Sequence, residues 1–137
     1  MDNDSVVELL KKVDLFRGLS NRQLNRLVSS GRETSHVDGR EVLEEGGTGL
    51  GFHLITSGHA SVSRQGSHVR DLGPGDYFGE ISLIDGQPRS ASVVAKGELT
   101  TLYLNSSKFN GLLEEHPDVA RTVMIALSQR LRALEQA

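Results

Sequence analysis

Short runs of alternating apolar and polar residues fill the middle of the chain, from Glu33 to Leu104. Clusters of Gly, Asp, Ser and Pro separate these runs, as expected for β-strands joined by turns. The runs with this near-twofold period cover residues 37, 41–43, 52–55, 60–63, 69–72, 91–95 and 99–104. Regular short strands of this kind are typical of a sandwich or barrel. Their number suits an eight-stranded jelly roll.

Three short segments are predicted to join consecutive strands. Ser57-Gly58 has the composition of a tight hairpin turn. Gly73-Pro74-Gly75-Asp76 is a second strong turn. Lys96-Gly97-Glu98 joins the last two predicted strands. With these turns, each run is expected to form a strand of its own.

The apolar spacing becomes helical near the N-terminus. A helix is predicted over 5–13, with Ser5 as its N-cap and Glu8 completing a capping box. Ser20 caps a second predicted helix, which ends at Gly31. Both helices are expected to pack their apolar faces on the core.

The C-terminal part is predicted to hold two more helices. Asn105 or Ser106 caps the first, and Pro117 lies in the first turn of the second. An apolar stripe marks the last helix at spacings of four, four, four and three: Val119, Val123, Leu127, Leu131 and Leu134. A stripe of this kind needs another surface to pack on. The predicted organisation is a single domain over 1–137, with helices over 5–31, a β-roll over 33–104 and helices over 105–136.

Composition narrows the class of protein. The 137 residues are 36% hydrophobic and 24% charged, with a formal net charge of −3, as in an ordinary globular domain. Lys and Arg total 15 against 18 Asp and Glu, so the basic surface expected of a nucleic-acid binder is missing. No apolar run approaches the roughly 20 residues that span a bilayer. The first residues are acidic, whereas a signal peptide begins with a basic segment followed by an apolar one, so no signal peptide is expected. The absence of cysteine excludes disulfides and is consistent with a cytoplasmic protein.

The segment 78–92, FGEISLIDGQPRSAS, combines residues that suit an anionic ligand. A loop that ends at a helix N-terminus offers free backbone N–H groups to an anion, and Arg89 adds a charged fork shaped for phosphate. The negative charge of Glu80 would repel a phosphate, so its carboxylate is expected to contact another part of the ligand. Because an ionised carboxylate only accepts hydrogen bonds, a ribose hydroxyl is the partner we expect for it.

This segment resembles the phosphate-binding cassette of the cyclic nucleotide-binding domains, as in the catabolite activator proteins and the regulatory subunits of cyclic-AMP-dependent kinase. The residues that match the family pattern are Phe78, Gly79, Glu80, Leu83, Gly86, Pro88, Arg89, Ser90 and Ala91. So many residue types fixed in one short window make the match specific. The resemblance extends from the first helix to the last and also implies a jelly roll flanked by helices.

The resemblance implies a ligand site built on the cassette. Arg89 would clamp the cyclic phosphate, Ser90 and the amide of Ala91 would add hydrogen bonds to it, and Glu80 would bind the ribose 2′-hydroxyl. The ligand-binding residues implied are Phe78, Gly79, Glu80, Ile81, Ser82, Arg89, Ser90 and Ala91. The candidates for a base pocket or a lid are Val62, Leu72, Tyr77, Arg130 and Leu134.

The resemblance further implies a regulatory sensor. Ligand binding is expected to draw the last helix against the roll, although the same helix also suits simple core packing or a homodimer with a second copy. Ser90 favours cyclic AMP over cyclic GMP, because threonine is common at this position in cyclic-GMP-preferring relatives. The effector stays unknown. No helix-turn-helix follows Ala137, so no sequence-specific DNA binding is expected of this chain alone.

Other features bear on alternative functions. Relatives often carry an acidic residue in the loop before 52–55, whereas this chain has the glycine-rich segment 46–51 there. The glycines indicate turns. Without the acidic residue, the route by which ligand binding is transmitted from the cassette to the rest of the domain is undefined.

The histidines form no H-x-H or H-x-x-x-H pair of the kind that binds metal in cupins: His36, His53, His59, His68 and His116. No nucleophile motif favours an enzyme. The alternative function is a jelly roll without ligand that acts as a protein-interaction module.

Overall fold

The computed structural model describes residues 2–43, 51–85 and 91–136. Helices stand at both ends of the chain and most of the strands lie between them. The helices are α1 Asn3–Leu10, a short 3₁₀ helix Asp14–Phe16, α2 Asn21–Ser30, α3 Glu80–Asp85, α4 Ser106–Glu115 and α5 Pro117–Glu135. The strands are β1 Arg32–His36, β2 Glu41–Leu43, β3 Gly51–Arg64, β4 Ser67–Leu72, β5 Tyr77–Phe78 and β6 Ser92–Asn105. The prediction of a mainly β fold with flanking helices is confirmed.

Two long strands organise the sheet. β6 pairs antiparallel with β1, β2 and β3, while β3 pairs antiparallel with β4 and β5. The described residues therefore form one six-stranded sheet, and the eight-stranded jelly roll predicted from the sequence is not confirmed. The count differs because the chain stays extended at two places where the sequence suggested turns.

β3 continues through Ser57-Gly58 without a hairpin turn. Around this dipeptide, the residues of β3 and β6 that pair are Ile55 with Thr101, Ser57 with Thr100, and His59 with Lys96. The register shifts twice here while the pairing with β6 goes on, and a bulge of this kind bends a strand without ending it. β6 likewise runs unbroken through Lys96-Gly97-Glu98. Both predicted turns are therefore irregularities inside long strands.

Gly58 is the residue that allows the bend in β3. Its φ of +90° lies in the left-handed region, and a Cβ at this position would collide with the carbonyl oxygen of Glu98. We expect Gly58→Ala to lower the free energy of unfolding by about 3 kcal/mol, because backbone strain and a steric clash combine. Urea unfolding measures this loss.

Gly39 provides the matched control for that substitution. Its φ is +81°, and no heavy atom lies within 4 Å of an added Cβ. Gly39→Ala therefore carries only the cost of the left-handed backbone, about 1 kcal/mol. Equal losses in the two variants would contradict the role assigned to the Glu98 clash.

The predicted turn over 73–76 is confirmed. The Asp76 amide donates to the Gly73 carbonyl oxygen at 2.9 Å, and the Gly73 amide donates to the Asp76 carboxylate at 2.8 Å. Gly75 has a φ of +90°, the positive value that the second central position of a type II turn requires. This turn leads β4 into β5, which immediately precedes the candidate site.

α1 begins earlier than the sequence predicted. Asp2, and not Ser5, is its N-cap: the Asp2 carboxylate accepts the Ser5 amide at 2.8 Å, a bond that lowers the pKa of Asp2. Glu8 forms no capping box with Ser5 and instead pairs with Lys11 at 2.9 Å. Aspartate and serine are equally good caps, so the sequence alone did not decide between them.

α2 follows its prediction closely. Ser20 and Gln23 form a reciprocal capping box, and the helix ends at Gly31. The Gln23 side-chain amide also donates to the Asp118 carboxylate at 2.6 Å, and this bond lowers the pKa of Asp118. Since Asp118 lies in the first turn of α5, the capping residue of α2 also connects the N-terminal and C-terminal helices.

The two C-terminal helices also begin where the sequence indicates. Asn105 caps α4 by accepting the amides of Ser107 and Lys108, and Pro117 occupies the first turn of α5. α5 packs against α4 and against the 3₁₀ helix. The N-terminal and C-terminal helices thus lie together against the sheet.

Two apolar clusters fill the fold. The larger joins the helices to β3 and β6, and its centre is Phe16, whose ring centroid lies 5.4 Å from that of Phe52 and 6.2 Å from that of Phe109. The smaller consists of strand residues: Ile55, Ala60, Val62, Leu72, Phe78, Val93, Ala95 and Leu99. The candidate site lies where the chain passes from the smaller cluster to the larger.

Candidate ligand-binding site

The chain turns sharply from β5 into α3 at Gly79. Phe78 pairs with His53 of β3, Gly79 has a φ of +86°, and α3 starts at Glu80. Glycine is favoured at such a φ because it has no Cβ. The Leu83 amide closes the first turn by donating to the Gly79 carbonyl oxygen at 3.1 Å. The first half of segment 78–92 is therefore a strand, a glycine turn and a short helix.

Leu83 anchors α3 to the rest of the fold. Its side chain is completely buried in the larger apolar cluster. Its carbonyl oxygen accepts a hydrogen bond of 3.0 Å from the hydroxyl of Ser106, the first residue of α4. Packing and a buried hydrogen bond thus hold the backbone that carries Glu80.

Glu80 forms an ion pair with Arg130 of α5. The Glu80 Oε1 to Arg130 Nη2 distance is 3.5 Å, and the two side chains are 21% and 33% exposed. Arg130 Nη1 is buried, and among the described residues it has no hydrogen-bond acceptor. A donor left in this state carries a desolvation cost. The ion pair therefore brings the candidate ribose-binding carboxylate against the last helix, but with imperfect geometry.

Tyr77 stands beside this ion pair. Burial raises the pKa of its phenol, and the negative charges of Glu80 and Asp14 add to the rise. Its ring lies 5.7 Å from that of Phe52 in the larger cluster. Tyr77 therefore lies near charged residues of three helices: Glu80 of α3, Asp14 of the 3₁₀ helix and Arg130 of α5.

Phe78 lies on the opposite side of β5 from Tyr77, because successive strand residues alternate. It belongs to the smaller cluster together with Val62 and Leu72, each of which is buried. Of the residues expected in a base pocket, the structure thus groups Val62 and Leu72 with Phe78. Tyr77 lies outside that group, with the helices.

The family model of the cyclic nucleotide-binding domain matches residues 33–116, which include the whole of segment 78–92. The match covers more than half of the chain. This chain belongs to the cyclic nucleotide-binding domain family. The fold and the glycine turn at Gly79 agree with the resemblance seen in the sequence.

Several known proteins are similar to this cyclic nucleotide-binding domain. It is 36% identical over 115 residues to a cAMP-dependent protein kinase regulatory subunit of Eremothecium gossypii, covering 83% of this chain and 25% of that protein. It is 32% identical over 115 residues to a cGMP-dependent protein kinase of Plasmodium berghei, covering 83% of this chain and 13% of that protein. The chain therefore spans a quarter or less of the length of these two relatives.

Among solved structures, the domain is similar to the N-terminal domain of a transcriptional regulator from Streptomyces coelicolor. The TM-score is 0.88 at 28% sequence identity, and the match covers 94% of this chain and 96% of that one. The arrangement of helices and sheet is therefore shared along nearly the whole chain.

Several predicted ligand residues of this domain fall outside the described part. Arg89 and Ser90 lie in 86–90, which is not described, and the loop 46–50 is not described either. Ile81 and Ser82 lie within α3, but their side chains are outside the described set. Ala91 is half-buried against the smaller cluster. Their roles as ligand contacts stay predictions.

The two lid candidates differ in their surroundings. Arg130 is half-buried and contacts Glu80, so α5 reaches the start of α3. Leu134, one turn later, is 70% exposed. In this structure α5 therefore approaches the cassette through Arg130 and not through Leu134.

Sequence reasoning missed a buried polar group behind the cassette. His53 is 6% exposed, and its Nδ1 lies 2.9 Å from the hydroxyl of Thr101. The one available signal was a histidine inside the apolar run FHLI, where a buried polar side chain needs a partner. The partner is 48 residues away in sequence and could not be found from the pattern.

Within residues 2–43, 51–85 and 91–136, no three His, Asp or Glu side chains group so as to hold a metal ion. No helix in the described part of the chain is both long and apolar enough to cross a membrane.

Proposed function

We propose that this chain is a regulatory sensor module that binds cyclic AMP on segment 78–92. The observation that carries the proposal is the position of Glu80 within the matched family region, at the start of α3 directly after the Gly79 turn. Its side chain is 21% exposed, and an ion-pair contact of 3.5 Å links its carboxylate to Arg130. A carboxylate accepts a hydrogen bond from a ribose hydroxyl, and a hydroxyl that binds here competes with the 3.5 Å contact to Arg130.

The choice of cyclic AMP over cyclic GMP comes from Ser90. Relatives at similar identity include kinases named for each nucleotide, so they support the class of ligand and leave the base open. A thermal-shift titration with each nucleotide tests the function, because a ligand that binds the folded state raises its stability. A larger shift with cyclic AMP is expected. No shift with either nucleotide at millimolar concentration would overturn the proposal and favour the protein-interaction module.

The module is proposed to act on an effector and not as an enzyme itself. The lack of a nucleophile motif in the sequence supports this role, as does the regulatory subunit among its relatives. The partner would be a protein or a domain that reads the position of the last helix. Hydrolysis of cyclic AMP by the purified chain, measured by chromatography, would contradict it.

We propose that the ligand acts on α5 by releasing Arg130, which differs from the movement of the last helix against the roll that the resemblance implies. When a ribose hydroxyl occupies the Glu80 carboxylate, Arg130 loses part of its interaction and α5 can change position. Arg130 Nη1 is buried and has no acceptor in the described part of the chain, so the existing contact is less favourable than a two-bond arginine–carboxylate pair would be. A ligand can shift the helix only by binding one helix position better than the other, and competition for Glu80 supplies that difference.

Replacing Arg130 by glutamine should tighten cyclic AMP binding about threefold, since an ion pair of this exposure contributes on the order of 1 kcal/mol at most. The measurement is calorimetric titration. Arg132→Gln, in the exposed last turn of the same helix, is the control and should leave the affinity unchanged. In a Glu80→Gln background the effect of Arg130→Gln should vanish. Weaker binding by the single Arg130→Gln variant would instead make Arg130 a direct ligand contact.

A homodimer through α5 is also proposed. Four large apolar side chains of α5 are exposed: Met124 at 58%, Ile125 at 47%, Leu131 at 62% and Leu134 at 70%. Three of them, Met124, Leu131 and Leu134, follow heptad-like spacings of three, four and three with the half-buried Leu127 between. Such a stripe is suited to pairing with the same stripe of a second copy. Sedimentation equilibrium that returns a monomer at high concentration would contradict the dimer.

A further inference from the structure

A cavity of about 150 Å³ lies between the N-terminal helices and the sheet. Its lining comes from the start of α1, the end of α2 and the strands β1, β3 and β6. None of the lining residues belongs to segment 78–92 or to α5, so the cavity is separate from the candidate ligand-binding site. The side chains that decide what it could hold are Asn3, Val6, Val28, Glu33, Thr56 and Leu102.

The apolar wall of the cavity comes from three of these side chains. Val6 and Leu102 are 6% and 7% exposed, and the half-buried Val28 packs against the same larger cluster. An apolar cavity of about 150 Å³ holds benzene, so this volume suits a molecule of about six non-hydrogen atoms. Ligand sites typically combine such apolar walls with a few polar groups that fix the orientation of the ligand. The polar side chains of the cavity therefore decide which molecule it takes.

Three polar side chains of the cavity can accept hydrogen bonds. The Thr56 hydroxyl donates to the Thr100 carbonyl oxygen at 3.2 Å, which leaves its oxygen lone pairs for a second partner. The Glu33 carboxylate only accepts, and the Asn3 amide offers a carbonyl oxygen. In the part of the chain that the structure describes, no ion pair or side-chain hydrogen bond engages Glu33 or Asn3, and both residues are exposed. Both groups are therefore available to a ligand that enters from solvent.

Arg32 precedes Glu33 in the chain but does not neutralise its charge. Successive strand residues point to opposite faces of a sheet. The guanidinium of Arg32 lies 5.5 Å from the ring centre of Tyr103, the residue opposite it on β6, whereas Glu33 stands opposite Leu102 of the cavity wall. Glu33 therefore gives the cavity a negative charge, and the cation beside it in sequence lies on the other face.

We propose that this cavity is a second ligand site, which takes a small primary amine with a compact apolar body of about six non-hydrogen atoms. An ammonium group has three donors and no acceptor, and Glu33, Thr56 and Asn3 supply acceptors for it. The apolar body packs against the two valines and the leucine of the wall. Because such a ligand touches both N-terminal helices and the sheet, its binding stabilises their packing. The inference goes beyond the cyclic nucleotide function and does not depend on it.

Three probes of similar shape and different charge test the proposal: isopentylamine, isopentyl alcohol and isovalerate. Each is titrated into the labelled chain at neutral pH and constant ionic strength, and nitrogen–proton correlation spectra are recorded. We expect saturable shifts at the amides of Gly31, Thr56 and Leu102, with the amine bound about fivefold more tightly than the alcohol, the upper size of an exposed ion pair. Isovalerate should bind most weakly, because Glu33 repels it. Equal affinities for the three probes, or no shifts at these amides, would overturn the inference.

Glu33→Gln should lower the affinity for the amine to that for the alcohol and leave the alcohol unaffected. Glu98→Gln removes an exposed carboxylate from β6 outside the cavity, so this control should retain the fivefold preference. A preference that persists in Glu33→Gln would overturn the inference. Arg89→Ala should bind the amine as well as the unmodified chain does, because the cavity has no residue from segment 78–92. Failure of the amine to bind would therefore leave the cyclic nucleotide function in place, and the reverse also holds.

Discussion

Replacing Arg89 by alanine should weaken cyclic AMP binding by about 3 kcal/mol, roughly a hundredfold in the dissociation constant. The prediction comes from the sequence, where the resemblance to the family cassette assigns Arg89 to the ligand phosphate. Removing the guanidinium would leave a ligand phosphate without its charged partner, and such a loss costs more than that of a neutral hydrogen bond. Calorimetric titration of the folded variant gives the value directly.

Two further variants make the Arg89 result specific. Arg89→Lys keeps the charge but loses the planar fork, so its affinity should fall between that of the unmodified chain and that of the alanine variant. Arg121→Ala removes an exposed arginine from α5 and should leave the affinity unchanged. Equal affinities for the alanine variant of Arg89 and the unmodified chain would remove Arg89 from the site.

Phe16→Ala should lower the free energy of unfolding by about 4 kcal/mol. Phe16 is 1% exposed and its ring contacts Phe52 of the sheet and Phe109 of α4, so its removal opens a cavity where three parts of the fold meet. A domain of this size has a total stability of about 5–15 kcal/mol, so the variant is expected to be close to unfolding. Urea denaturation measures the loss.

Val37→Ala is the matched control for Phe16, because Val37 is 70% exposed. Its effect should remain within about 0.5 kcal/mol. Phe16→Leu, which refills part of the cavity, should lose less than the alanine variant. A loss of 1 kcal/mol or less in Phe16→Ala would show that the helices and the sheet are not joined through this ring.

Local sequence signals predicted the elements whose cause is local. Ser20, which the sequence predicted as the cap of α2, accepts the Gln23 amide, and the turn over 73–76 needs a glycine with positive φ; each cause lies within four residues. Gly58 shows the limit of such signals. A glycine with positive φ serves a hairpin turn and a strand bulge equally well, and only the pairing with β6 decides between them. The eight strands predicted from the sequence are therefore not confirmed among residues 2–43, 51–85 and 91–136.

The candidate site likewise has features that the sequence predicted and features that it did not. The order of residues in segment 78–92 is a local pattern, so the cassette and its likeness to a family could be read from the sequence. The Glu80–Arg130 contact and the His53–Thr101 contact join residues that are far apart in the chain. No periodicity encodes such pairs, because they arise when separate elements pack. The Glu80–Arg130 contact carries the proposal on coupling.

The central claim is that a cyclic nucleotide binds beside the Gly79 turn and that α5 responds. Nitrogen–proton correlation spectra of the labelled chain, recorded during a titration with cyclic AMP, test it most directly. Saturable shifts at the amides of Gly79, Glu80 and Ala91, accompanied by shifts around Arg130, are the predicted result, while the exposed turn at Gln65-Gly66 should remain unchanged. Spectra unaltered by millimolar cyclic AMP, or shifts confined to residues away from the Gly79 turn, would contradict the claim.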